Sequence, residues 1–272
     1  MYRLIAFDLD GTALNSRKEL TTETRNALER AAARGIELVP ATGRFYRGLP
    51  EAIRSMPFIH YAITMNGAVV YDIQNDRTIY GAEIPWQRAV EIMEEIESPE
   101  LIYDSYIGSW GWITRAYQEK AADYVPDEYF LKMLTVLRTP VDELKDYIRK
   151  EQKDVQKIIM FTRTIALQQE LLQTLPKKYP DVVVTSSVPH NLELNAPAAN
   201  KGAALHALAK ALEIPISETM AIGDGLNDAA LLKAAGLSVA MGNAHPDILA
   251  LADEITADCD HNGAAQAIEK FT

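Results

Sequence analysis

Two carboxylates two residues apart, Asp8 and Asp10, close the short apolar run Leu4-Ile5-Ala6-Phe7 and are followed by Gly11 and Thr12. Acidic oxygens at this spacing suit a hard cation such as Mg²⁺, which takes oxygen ligands in an octahedral shell. A polar turn is the plain alternative for Asp-x-Asp-Gly. A calcium loop is another, since Asp8, Asp10, Thr12 and Glu19 roughly follow its ligand spacing. Against the calcium loop, glycine stands fourth and Ala13 holds the sixth position, where the sharp turn needs glycine.

Three more apolar runs end in turns that could do chemistry: Thr42-Gly43-Arg44, Asn66-Gly67, and Gly223-Asp224-Gly225-Leu226-Asn227-Asp228. Lys201 stands apart from these. It follows Asn200 at the expected start of a helix, where the helix dipole disfavours a cation by roughly 0.3–1 kcal/mol. A solvated lysine at a frayed end is one explanation. An anion shared by the helix N-terminus, Lys201 and a metal would instead remove the conflict.

The elements that must hold these residues alternate. The uninterrupted apolar run at 4–7 reads as a strand buried on both faces, and further apolar runs at 36–39 and 61–65 follow helices at 21–34 and 48–55, so that crossovers build a parallel sheet. The first helix is stopped by Gly35, and Pro40 is placed where strand pairing ends. After a hairpin at 68–81 the pattern changes to a helix at 86–96, an aromatic hairpin at 101–115, an irregular stretch and a helix at 141–150. A strand at 157–162, a helix at 165–175 and β-rich pieces at 182–186 and 192–194 follow. Residues 84–190 are therefore expected to form an inserted α+β domain, with Pro85 and Pro189 near its ends, and residues 1–83 with 191–272 the core. Past the insert, a helix at 201–212, strands at 219–222 and 237–241, a helix opened by Pro246 and a last strand at 254–256 restore the first pattern. Because crossovers in one sheet share a hand, the loaded strand ends should line one edge, bringing Asp8, Asp10 and Asp224 within reach of one cation.

Composition bounds the partners. With 27 Lys+Arg against 38 Asp+Glu the chain carries −11, which speaks against general binding to nucleic acid or anionic membranes. The single cysteine, Cys259, excludes an internal disulfide framework, and no two of the five histidines stand one helical turn apart. The leading apolar run is too short for a secretory segment and nothing approaches a membrane span, so a cytoplasmic protein is expected.

Taken together, Asp8-Leu9-Asp10-Gly11-Thr12, Thr42-Gly43-Arg44, Lys201 and Gly223-Asp224-Gly225-Leu226-Asn227-Asp228 resemble the four ordered motifs of the haloacid dehalogenase superfamily. The insert is similar to the large α/β (C2B-type) cap of its Cof-type branch, and the resemblance covers essentially the whole chain. It implies an α/β protein with a Rossmann-like three-layer α/β/α core and an inserted α+β cap domain. Asp8 is implied as nucleophile, forming an aspartyl-phosphate, and Asp10 as general acid and then base. Thr42, the Gly43 amide, Lys201, Asn227 and the Leu9 backbone amide are implied to hold phosphoryl oxygens. Mg²⁺ would bind the Asp8 and Asp224 carboxylates and the Asp10 carbonyl, with Asp228 supporting them from behind.

Leu231, where the family often has methionine, and Asn200, where serine or threonine is common, are departures that read as packing and capping changes. Arg44 and Asn66 are candidates for contacting the leaving group. Tyr103, Tyr106, Trp110, Trp112 and Arg115 are weaker ones, aromatic residues in a hairpin being more often packed against their own helices. The expected activity is Mg²⁺-dependent hydrolysis of a small phosphorylated metabolite, a sugar phosphate or cofactor phosphate. A phosphomutase of the same fold and a non-catalytic phospholigand-binding protein are the alternatives.

Overall fold

In the computed structural model, which describes residues 2–108, 110–186 and 188–272, the run Leu4–Phe7 forms β1. It is followed by α1 (Thr22–Ala33), β2 (Glu37–Pro40), α2 (Glu51–Arg54), β3 (Tyr61–Thr64), β4 (Val69–Asp72) and β5 (Arg77–Gly81). Next come α3 (Trp86–Ile96), β6 (Leu101–Ile107), β7 (Trp110–Thr114), α4 (Arg115–Glu119), α5 (Glu128–Val136), β8 (Arg138–Val141) and α6 (Leu144–Glu151). Then β9 (Lys157–Thr162), α7 (Ile165–Lys178), β10 (Val183–Thr185) and β11 (Asn191–Asn195) complete the middle of the chain. The last part holds α8 (Lys201–Ala211), β12 (Thr219–Gly223), α9 (Ala229–Ala234), β13 (Leu237–Ala240), α10 (Pro246–Leu249), β14 (Glu254–Ile255) and α11 (Gly263–Phe271).

The chain divides into two units, residues 1–81 with 198–272, and residues 82–197. In the first, a parallel sheet runs β14-β13-β12-β1-β2. Alternate residues of β1 feed opposite faces: Ile5 and Phe7 pack with Leu28 of α1 and Ile268 of α11, whereas Leu4 and Ala6 pack with Leu205 of α8 and Leu231 of α9. Both faces are thus apolar, which is why the strand shows no hydrophobic alternation. The third run departs from expectation. It pairs antiparallel with β4 in a separate sheet β3-β4-β5 and touches the end of β2 through one parallel bridge, Ala41 to Ile63.

The second unit is built on a six-stranded mixed sheet, β10-β11-β9-β6-β7-β8. One apolar face, with Tyr103, Ile158, Met160 and Leu192, packs on α3, α6 and α7 through Met93, Ile148 and Leu175. Strand β11 pairs with β9, so residues 191–197, expected in the core, belong to this unit. The stretch expected to be irregular contains α4, α5 and β8, and the helix expected from 141 starts at Leu144 after the strand ends. Local chemistry accounts for both helix starts: Asp127 accepts from the Phe130 amide to cap α5, and Glu143 accepts from the Lys145 amide to cap α6. Residue 109, in the expected hairpin turn, lies outside the described residues. No helix among the described residues is long and apolar enough to cross a membrane.

Candidate active site

Strand β1 delivers Asp8 at its carboxyl end. The Asp8 amide still donates to the Ile222 carbonyl of β12 at 2.9 Å, so the carboxylate leaves the sheet from a fixed backbone. The chain then turns back, with the Thr12 and Leu14 amides donating to the Leu9 carbonyl at 3.2 and 2.8 Å. Gly11 permits that turn. Its φ is +90°, and a Cβ there would stand 2.5 Å from an Asp224 oxygen. Leu9 itself is buried in the apolar core, so its contribution to the site is its backbone.

Lys201 occupies the first turn of α8, where the Asn200 side chain accepts from the Ala203 amide at 2.8 Å. The ammonium is fully buried rather than solvated. It donates to Asp8 at 2.7 Å and to Asp228 at 2.6 Å. Two carboxylates thereby share one ammonium, each a charge-assisted bond that offsets part of the desolvation cost. The other Asp228 oxygen accepts from the Asp224 and Gly225 amides at 3.0 and 2.9 Å, which fixes the loop after β12. Asp224 is held in turn by the Thr12 hydroxyl, donating at 2.7 Å.

The charges in this cluster do not cancel. Asp8, Asp224 and Asp228 each place a carboxylate oxygen within 4.8 Å of the others, and one buried ammonium contacts two of them, Asp8 and Asp228. Burial pushes the Asp8 carboxyl up to about 7, against the pull of Lys201 and with the repulsion of Asp228. Burial likewise pushes Asp224 up to about 6, partly opposed by the Thr12 hydroxyl. Although burial works against its charge, Asp228 and Asp8 hold the Lys201 ammonium above the ordinary lysine range. A cluster of hard oxygen donors with a single ammonium among them could hold a divalent cation on Asp8, Asp224 and Asp228.

Asp10 is placed differently. Its two oxygens accept from the Arg44 guanidinium, both at 2.8 Å, and Lys18 lies 3.1 Å away. Burial would raise this carboxyl, but the two cations outweigh it and hold it below the usual range. Arg44, expected near a leaving group, therefore clamps the expected acid–base residue. The loop carrying it is anchored at Thr42, which is buried, donates its amide to Ile63 at 2.9 Å and accepts the Arg44 amide at 3.2 Å on its hydroxyl. Gly43 lies beside Asn66, and the Asn66 side chain accepts from Asn227 at 3.1 Å.

Of the hairpin residues, Tyr103 is buried edge-on against Tyr117, Tyr106 lies under the Arg138 guanidinium, and Trp112 stacks on Tyr147. Arg115 is 3.7 Å from Asp142, and Trp110 is exposed. Tyr103 and Trp112 thus pack on helices α4 and α6, whereas the partner of Tyr106 belongs to strand β8. Two further residues join the site that the motifs do not mark. Lys18 reaches Asp10 from a left-handed turn residue, and Asn243 donates to the Gly11 carbonyl at 2.9 Å while accepting from the Cys259 amide at 2.8 Å. A polar residue in the loop three positions past the end of β13 was the available signal for Asn243.

A profile of haloacid dehalogenase-like hydrolases matches residues 5–268. Phosphatase YwpJ of Bacillus subtilis is 34% identical over 283 residues, spanning 98% of this chain and 99% of its own. The 5-amino-6-(5-phospho-D-ribitylamino)uracil phosphatase YcsE of the same organism is 29% identical over 270 residues, spanning 99% and 95%. A solved haloacid dehalogenase-like hydrolase from B. subtilis superposes with a TM-score of 0.79 at 34% identity, covering 99% of this chain and 100% of that one.

Proposed function

The chain belongs to the haloacid dehalogenase-like hydrolase family, and on that premise we propose that it is an Mg²⁺-dependent phosphatase of a small phosphorylated metabolite, working through an aspartyl-phosphate on Asp8. The observation that carries this reading is the buried Lys201 ammonium bridging Asp8 and Asp228 beside Asp224. Such a cluster is costly to bury and serves folding poorly, but it matches a phosphoryl group, whose transfer needs positioning and charge neutralisation more than covalent assistance. YcsE, by its name, acts on a phosphorylated ribityl compound, which supports a sugar phosphate or cofactor phosphate as the substrate class here.

Each residue then has a task. An Asp8 oxygen attacks phosphorus, the bond to the leaving oxygen breaks, and that oxygen takes a proton from Asp10. Asp10, now ionised, accepts a proton from the water that attacks the phospho-Asp8 phosphorus, releasing inorganic phosphate and restoring the Asp8 carboxylate. Arg44 favours the ionised form needed in this second half. For the first half, one guanidinium arm must let go of Asp10 when the substrate arrives. Lys201, Thr42, Asn227 and the Leu9 and Gly43 amides hold the phosphoryl oxygens. Asp8, Asp224 and the Asp10 carbonyl would hold Mg²⁺, which would supply the charge neutralisation that keeps Asp8 ionised near neutral pH. The second unit is read as the cap that selects the leaving group. A screen of phosphorylated metabolites with Mg²⁺ tests the proposal: phosphate release without a bisphosphate activator, absent in Asp8→Asn, is expected. Saturable ligand binding with no product would overturn it in favour of a binding protein.

A further inference from the structure

Three consecutive residues after β3 lie in the left-handed backbone region: Met65 (φ 50°), Asn66 (φ 55°) and Gly67 (φ 93°). For a side chain as large as methionine such a backbone is costly and persists only where its surroundings over-determine it. Here the surroundings are the other site loops. The Met65 amide donates to the Arg44 carbonyl at 2.9 Å and the Asn66 amide to the Thr42 carbonyl at 3.0 Å. A Cβ on Gly67 would stand 2.2 Å from the Asn200 carbonyl carbon and 2.6 Å from the Lys201 nitrogen, so glycine lets this turn lie against the start of α8. One tripeptide thus joins the Thr42–Arg44 loop to the helix that carries Lys201.

The side chain at the centre of this turn reaches the remaining motif. Asn66 Oδ1 accepts from Asn227 Nδ2 at 3.1 Å. A carboxamide has a nitrogen end that attracts an anion and an oxygen end that repels it, and nothing in its shape distinguishes them. That bond uses one Asn227 Nδ2 hydrogen, fixes the amide's orientation and leaves the second hydrogen for a phosphoryl oxygen.

We propose that Asn66 is a positioning residue that acts through Asn227, fixing which end of that amide meets the phosphoryl group. This rests on the phosphatase reading above. The strained turn is then the means by which a residue on β3's loop, outside the four motifs, sets a residue within the last of them.

Titration calorimetry with orthovanadate, in the presence of Mg²⁺, tests this on wild type, Asn66→Gly, Asn227→Ala and the double variant. Glycine suits φ 55° and so removes the side chain without disturbing the turn. Each single variant is expected to weaken vanadate by roughly 10-fold, with the melting temperature of Asn66→Gly unchanged, and the double variant to bind as Asn227→Ala does. Additive losses would overturn the proposal, because they mean that Asn66 meets the anion itself or acts on the fold. Unchanged vanadate affinity in Asn66→Gly would overturn it equally. Wild type that neither binds vanadate nor releases phosphate from any ester would instead sink the phosphatase reading, and the inference with it.

Discussion

Lys201 is the residue on which the site's electrostatics turn. Removing its charge leaves Asp8 and Asp228 facing each other in a buried space, and both lose a donor at once. Lys201→Met, which keeps the volume, is expected to lower kcat by on the order of 10²–10³, as for loss of one oxyanion donor. Steady-state kinetics against a substrate found in the screen would read it, and near wild-type turnover would contradict the assignment. Arg44 calls for a different experiment. It and Lys18 hold Asp10 below the usual carboxylate range, against burial, which favours the ionised form that acts as base in the second half of the reaction. In Arg44→Ala the larger of those two supports is lost and burial regains part of its effect. The acidic limb of the pH–rate profile should therefore move to higher pH, and a profile superimposable on wild type would show that the clamp has no bearing on catalysis. Neither contact could be read from the sequence. Arginine and lysine have long side chains, and spacing along the chain says nothing of where their ends go.

At the scale of elements, the site depends on a few strand ends and one helix start. Asn200 caps α8 at the residue before Lys201. Asn200→Ala is expected to cost about 1 kcal/mol, seen as a fall of roughly 2–4 °C in melting temperature, and to raise KM because the frayed first turn carries the lysine. A fall in stability with KM unchanged would mean that the lysine is placed by its two carboxylates alone. The elements legible in the sequence were those with one dominant signal. The run for β1 is apolar throughout and that for β12 is apolar after Thr219, and the helix at Trp86–Ile96 has a single apolar face that ends up buried through Val90 and Met93. Elsewhere the signals were weak or ambiguous. Helix α11 buries Ala264, Ala265, Ala267 and Ile268, and alanines at helical spacing give little hydrophobic contrast. Strand β3 has the composition of a buried parallel strand, yet its tight left-handed turn returns the chain so soon that β4 pairs with it antiparallel. Nothing in the sequence around position 191 marks it as part of the second unit, because a strand and a loop residue look alike when the partner strand, β9, lies some thirty positions upstream.

For the molecule as a whole, the buried carboxylates tie folding stability to pH and to cation. A carboxyl whose folded pKa is raised binds its proton more tightly folded than unfolded. In chelator the protein therefore gains stability below the unfolded value near 4 and loses it as pH climbs through about 6 for Asp224 and about 7 for Asp8. Melting temperatures in EDTA should fall between pH 5 and pH 8, less steeply in Asp8→Asn. Saturating Mg²⁺ should restore them, by about 2.7 kcal/mol at a hundredfold excess over its dissociation constant. A metal-free melting temperature that is flat or rising over this range would show that the cluster is not uncompensated. The central claim concerns Asp8 and can be tested most directly by crystallising the protein with Mg²⁺ and beryllium fluoride, a mimic of the phosphoryl group. The account requires a tetrahedral beryllium adduct on an Asp8 carboxylate oxygen, within hydrogen-bond reach of Lys201. An adduct on any other side chain, or fluoride bound without a bond to Asp8 under saturating conditions, would contradict it.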